Sequence, residues 1–75
     1  MKLVETNINA AVRVVDIGCS NQRICRRLND LGILEGSVVS ITQRLPFGGP
    51  LTLETGGQYI AIRRKEALQI AVEAV

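Results

Sequence analysis

Two stretches of this 75-residue chain constrain most of what it can fold into. The first, Arg27-Leu28-Asn29-Asp30-Leu31-Gly32-Ile33-Leu34-Glu35-Gly36, reads as the end of a helix that stops on a glycine. Upstream of the stop, Ile24, Leu28 and Leu31 fall at i, i+4 and i+7 and make one apolar stripe. Arg23, Arg26, Arg27 and Asp30 take the remaining surface. Ser20 or Asn21 can cap the start by accepting a backbone N–H. Gly32 stands where a left-handed residue is wanted past the helix, and Ile33 is placed to pack back on Leu28 in a Schellman arrangement. The second stretch, Leu45-Pro46-Phe47-Gly48-Gly49-Pro50-Leu51, reads as a tight turn between two strands. Neither stretch carries catalytic chemistry.

Alternation at period two fills in the rest. Ala11 to Ile17 is β-branched and loosely alternating, a first strand broken by Gly18-Cys19-Ser20-Asn21. Gly36-Ser37 leads into a second strand over Val38 to Arg44. Leu51 and Leu53 alternate with Thr52 and Glu54 in a third, and Gly56-Gly57 makes a two-glycine hairpin into a fourth, Gln58 to Arg63. Arg64 to Leu68 reads as a single helical turn, and Gln69 to Glu73 as a short final strand. Five short strands with one helix inserted at about residues 20–31 predict a mostly β fold, a small closed barrel of SH3-like type. At this length the chain is read as a single domain over residues 1–75.

Composition narrows the function classes. An apolar content of 47% is enough for a core, and a net charge of +2 does not by itself call for nucleic acid. No apolar run approaches the roughly 18–20 residues that cross a bilayer. Glu5 interrupts the start where a secretory signal needs its apolar stretch, so a cytoplasmic location is expected. Cys19 and Cys25 are the only cysteines, spaced as neither a zinc pair nor a redox motif. On one helix they would point to different sides, and a reducing compartment disfavours a bridge, so free, small packing side chains are expected. With no histidine, no Ser/His, Cys/His or paired-carboxylate constellation and no phosphate-binding glycine loop, the chain is read as a non-enzyme.

Four blocks, in order and correctly spaced, carry a resemblance. They are Val12 to Ile17, Arg26 to Gly36, Pro46 to Leu51 and Ile60 to Ala67. Across about Leu3 to Glu73 the chain resembles the FeoA proteins, small cytoplasmic partners of the FeoB ferrous-iron transporter. The resemblance implies an SH3-like domain and an accessory role in bacterial ferrous-iron uptake through contact with FeoB. The same domain is similar to the C-terminal module of iron-dependent repressors, which gives the alternative, a metal-responsive regulatory module. Those repressors place a DNA-binding domain ahead of it, for which the first strand, starting near residue 11, is expected to leave no room. Two departures from the family pattern lie near the start. Thr6 replaces an apolar residue, with a looser N-terminal cover expected, and Asn9 replaces a turn glycine at a position where Asn tolerates positive φ.

No cofactor and no metal site is assigned. Fe²⁺ favours imidazole and carboxylate ligands, and the seven acidic residues are never closer than five positions apart. Phe47 and Tyr59 are too few aromatics for a polyproline groove. Arg63-Arg64-Lys65 and the Arg23/Arg26/Arg27 face are basic clusters, read as a solvated face or a contact to an acidic protein surface. Direct nucleic-acid binding is not expected without stacking aromatics. The expected partner-binding patch is Leu34, Leu45 and Phe47 with Arg26, Arg27 and Arg44 at its edge, an apolar anchor rimmed by arginine. The competing reading folds Phe47 back over an open barrel end. If the transporter's nucleotide-hydrolysing domain takes an arginine in trans, Arg44 and Arg26 are the candidates. An edge strand supports a homodimer equally well.

Overall fold

Apolar residues at alternate positions make strands only if one face is covered, and here each strand buries one side. The computed structural model describes residues 1–18 and 22–75. A 3-10 turn over Leu3–Glu5 is followed by β1 Val12–Asp16, α1 Gln22–Asp30, β2 Val38–Arg44, β3 Leu51–Thr55, β4 Gln58–Ile62, α2 Arg64–Ala67 and β5 Ala71–Ala74. All strand pairs are antiparallel, in the order β4-β3-β2-β1-β5. The SH3-like, mostly β expectation holds. Closure does not: β4 and β5 are the two edges of the sheet, so it curls without sealing. Register shifts between Val14 and Asp16 and between Ile41 and Gln43 supply the bending, because a bulge increases local twist.

Register puts the large side chains in one stack. Ile41 lies opposite Leu53, Leu53 opposite Ile60, and Leu51 opposite Ile62, with Ile41, Leu51, Leu53 and Ile62 almost wholly buried. Leu28 of α1 and Ile33 close one side of this stack. The helix ends as its sequence predicts. Gly32 has φ +86°, its N–H bonds the Asn29 carbonyl at 3.0 Å, and the Ile33 N–H bonds the Leu28 carbonyl at 2.9 Å. That is the Schellman pattern, with both apolar partners buried. Among the described residues no helix is long and apolar enough to cross a membrane.

The N-terminal segment packs into the same core. Leu3 N–H bonds the Ile70 carbonyl at 2.8 Å, and Val72 N–H bonds the Met1 carbonyl at 2.8 Å, so the first residues run beside β5. Leu3 and Val4 are buried, and so is Thr6, whose hydroxyl donates to the Leu3 carbonyl at 2.9 Å. That bond removes the cost of placing a hydroxyl at an apolar position. Thr6 therefore sits as tightly as its neighbours, contrary to the looser cover expected. Asn9 takes φ +68° and its N–H bonds the Ile41 carbonyl at 2.7 Å, the conformation expected of it.

The helix cap expected on Ser20 or Asn21 lies outside the described residues, as does Cys19. Cys25 is disulfide-bonded, not the free side chain expected.

Gly18 has a positional requirement of its own. Its φ is +65°, its N–H bonds Asp16 Oδ1 at 2.9 Å, and a Cβ there would stand 2.2 Å from the Gln69 backbone oxygen. Gly36, at φ +90°, has open space around the same direction. Gly18→Ala is expected to lose about 2–4 kcal/mol, against about 1 kcal/mol for Gly36→Ala, in urea denaturation. Equal losses would show that the backbone contact is not what holds Gly18 in place.

Candidate functional site

The six residues of the expected patch fall in three places. Phe47 lies on the turn joining β2 to β3. Pro46 carbonyl accepts from Gly49 N–H at 3.3 Å, and the two residues between them, Phe47 and Gly48, have φ of +60° and +73°. Two central residues with positive φ are the mark of a type I′ turn, whose first central position ordinarily takes Asn, Asp or Gly. A β-carbon there costs about 1–2 kcal/mol. The Phe47 ring is fully exposed, at 104% of its reference area, and does not fold back over the barrel end. Leu45, just before the turn, is 45% exposed.

Leu34 is held elsewhere, on the loop that follows α1. Its N–H bonds Ser37 Oγ at 3.1 Å, and Ser37 N–H bonds the Leu34 carbonyl at 3.0 Å, a tight loop that leaves the side chain 47% exposed. With Arg26, Ile17 and Cys25 it lines a shallow groove along α1. Leu34 and Arg26 are thus brought together. Leu45 and Phe47 form a second apolar point on the β2–β3 turn.

The other two arginines are exposed, but their guanidinium groups are engaged by the chain itself. Arg44 Nη2 donates to the Thr6 carbonyl, tying the stem of the β2–β3 turn to the N-terminal segment. Arg27 Nη1 pairs with the Glu66 carboxylate. Glu66 is 2% exposed, and its Oε1 also accepts the Arg63 N–H at 2.8 Å. A carboxylate this buried requires such partners, since an unpaired buried charge is strongly destabilising.

Sequence reading missed a neighbourhood. Arg63, Arg64 and Lys65 line a recess together with Gly48 and Pro50 of the β2–β3 turn. A Cβ on Gly48 would stand 3.8 Å from Arg64 Cδ, so the basic cluster and the Phe47 turn are adjacent. The signal was the length of the arginine stems combined with the β3–β4 hairpin, which returns residue 62 to the side of residue 51. Among the described residues no group of three His, Cys, Asp or Glu side chains converges as a metal site.

These features define a class, an SH3-like module with one inserted helix and an exposed, strained aromatic turn. The FeoA domain family matches residues 1–74, and the chain belongs to that family. The FeoA-like protein of Clostridium acetobutylicum is 31% identical, with a TM-score of 0.85 over 100% of this chain and 86% of that one. The zinc-complexed FeoA of Stenotrophomonas maltophilia, described as an SH3 domain protein, is 30% identical, with a TM-score of 0.81 over 97% of this chain and 89% of that one. A manganese-dependent transcriptional repressor in complex with manganese superposes with a TM-score of 0.92 at 18% identity. This chain spans 36% of the repressor, and that likeness concerns the fold alone. No curated protein matches the chain.

Two substitutions test the site's energetics, and a third, at Arg13, is their control. Phe47→Asn relieves the left-handed strain and removes no buried area, so it is expected to stabilise the fold by about 0.5–1 kcal/mol in urea denaturation. A loss of stability would mean the ring packs on the protein. Arg27→Ala leaves Glu66 buried with one donor fewer and is expected to cost about 2–3 kcal/mol. Arg13→Ala, which breaks the exposed Arg13–Glu73 pair at 3.3 Å, is expected to cost no more than about 0.5 kcal/mol.

Proposed function

We propose that this chain is a cytoplasmic, non-enzymatic accessory protein of bacterial ferrous-iron uptake that docks on the FeoB transporter and modulates it. Residues 1–75 are taken as one FeoA/SH3-like domain. The observation that carries the reading is Phe47, an aromatic ring fully in solvent on a turn whose backbone disfavours it. Strain of this kind persists at ligand clamps and contact sites, where it presents a side chain. Family membership supplies the transport context. The Stenotrophomonas FeoA is itself described as a candidate ferrous iron transport activating factor.

In this reading Phe47 and Leu45 are the anchor, and Leu34 with Arg26 is a second contact along α1. Arg27 and Arg44 position these elements. An aromatic anchor beside arginine has the composition of a binding hot spot. An arginine acting in trans on a nucleotide fits Arg26, whose side chain reaches the surface, better than Arg44, whose guanidinium is engaged by Thr6. The fold shared with the manganese-dependent repressor supports the alternative of a metal-responsive regulatory module.

Calorimetric titration against the soluble cytoplasmic domain of the cognate FeoB, with and without guanine nucleotide and Fe²⁺, separates the two. Saturable binding is expected, weakened about tenfold or more by Phe47→Asn, the loss of one buried ring. Heat from Fe²⁺ alone, with no transporter binding in any nucleotide state, would replace this reading with the metal-responsive one.

A further inference from the structure

The chain's charge is divided unevenly over its surface. Three grooves follow one another through shared residues. One along α1 includes Arg23, Arg26, Arg27 and Asp30. The next adds Arg63, Lys65 and Glu66 to Arg23 and Arg27. The third runs from Arg63, Arg64 and Lys65 to Gly48 and Pro50, at the foot of the Phe47 turn. Six of the nine basic residues but only two of the seven acidic ones line these grooves, so a chain of net +2 carries a +4 face and a −2 remainder. Glu66 is buried and paired, which leaves Asp30, at the far end, as the one exposed carboxylate lining the three grooves. Arg63, Arg64 and Lys65 are all exposed, and none makes an ion pair among the described residues.

We propose that the three grooves form one cationic track that receives an extended acidic segment of a partner protein, with an apolar side chain of that segment set against Phe47. The proposal rests on the docking reading above and adds where, and through what chemistry, a partner is held.

Dimensions limit the occupant. The longest axis of the molecule is 28 Å, and an extended chain advances about 3.3–3.6 Å per residue, so the track holds at most about eight residues. Guanidinium groups pair with planar carboxylates through two parallel N–H donors, which suits a row of Asp and Glu side chains. A single-stranded nucleic acid wants an aromatic platform for successive bases. The track offers one ring, at one end, which suits a segment with one apolar residue beside its acidic run. An anionic bilayer is flat, whereas these residues line recesses.

The test is ¹⁵N-NMR titration of the full chain with a peptide of about eight residues, one phenylalanine followed by glutamates. Saturable shifts confined to residues 23–27, 47–49 and 63–65 are expected. Reversing Arg63→Glu and Lys65→Glu together should weaken binding about tenfold or more, as should raising the salt concentration, while Lys2→Glu leaves it unchanged. Should the reversal impair folding, neutralising Arg63→Gln and Lys65→Gln is expected to give a smaller loss in the same direction. Shifts spread over the whole surface, no saturation, or an affinity indifferent to Arg63 and Lys65 would overturn the track. So would tighter binding to the same residues by oligothymidylate, pointing to nucleic acid, or by phosphatidylserine vesicles, pointing to a membrane. Transporter binding unaffected by the Arg63/Lys65 reversal would leave the docking reading standing and remove the track. Peptide binding at the track without transporter binding would do the reverse.

Discussion

A single carboxylate holds the helical parts of this molecule in register. Glu66 is buried on α2, and its Oε1 receives both the Arg27 guanidinium from α1 and the N–H of Arg63, the residue just before α2. The helix needs that contact. At nine residues α1 is too short to persist in water on its own hydrogen bonds, and only Leu28 of its described side chains is fully buried. Leu28 and the Schellman return to Ile33 fix the C-terminal end of α1 to the core. The Arg27–Glu66 pair fixes its rotation. With that rotation set, Arg23 stands against Arg63 and Lys65 in one groove, and Arg26 lies between the groove it shares with Arg23 and the one it shares with Leu34.

The core of this open sheet is completed by two unlike devices. One is the helix, through Leu28. The other is the first six residues, which run beside β5 and bury Leu3, Val4 and Thr6. This N-terminal cover is coupled to the exposed turn, because Arg44 closes β2 by donating to the Thr6 carbonyl. Thr6 accepts that bond while its own hydroxyl is occupied by Leu3, so a polar residue at an apolar position is fully bonded. The orientation of the β2–β3 turn thus depends on a residue 38 positions before Arg44, by way of one guanidinium.

The strands and the helix stop were legible because each is a local matter. β2 runs over Val38–Arg44 as its alternation predicts, and Gly32 takes the left-handed conformation that its place after Leu31 demands. The 3-10 turn at Leu3–Glu5 was not foreseen. Three residues carry no period, and Glu5 accepting the Lys2 N–H at 2.9 Å is a local bond of an ordinary kind. The arginines were the least readable. Arg26, Arg27 and Arg44 look alike in sequence, yet one reaches solvent, one a buried carboxylate and one a backbone carbonyl. Long flexible stems make that choice in three dimensions, after the hairpin and the helix have brought their acceptors within reach. The neighbourhood of Phe47 and Arg64 escaped for the same reason, being a product of β3–β4 pairing and not of any spacing.

Magnitudes decide how the Phe47 turn is to be understood. A turn that had only to reverse the chain would carry Asn or Gly at its first central position. Phenylalanine there costs about 1–2 kcal/mol of backbone strain, in a chain whose total stability is set by a domain of 75 residues and is correspondingly small. A buried ring would offset that within the fold, but this ring is wholly in solvent and returns nothing to its own core. Sealing a phenylalanine from water is worth about 1.5–3 kcal/mol, the same order as the strain. In the docking reading, a partner surface that covers the ring supplies the compensation. The cationic recess at the foot of the turn tells what the surroundings of that surface are like. It presents three cations that make no ion pair among the described residues, beside an unburied ring, and in that reading the complement is an apolar side chain flanked by carboxylates.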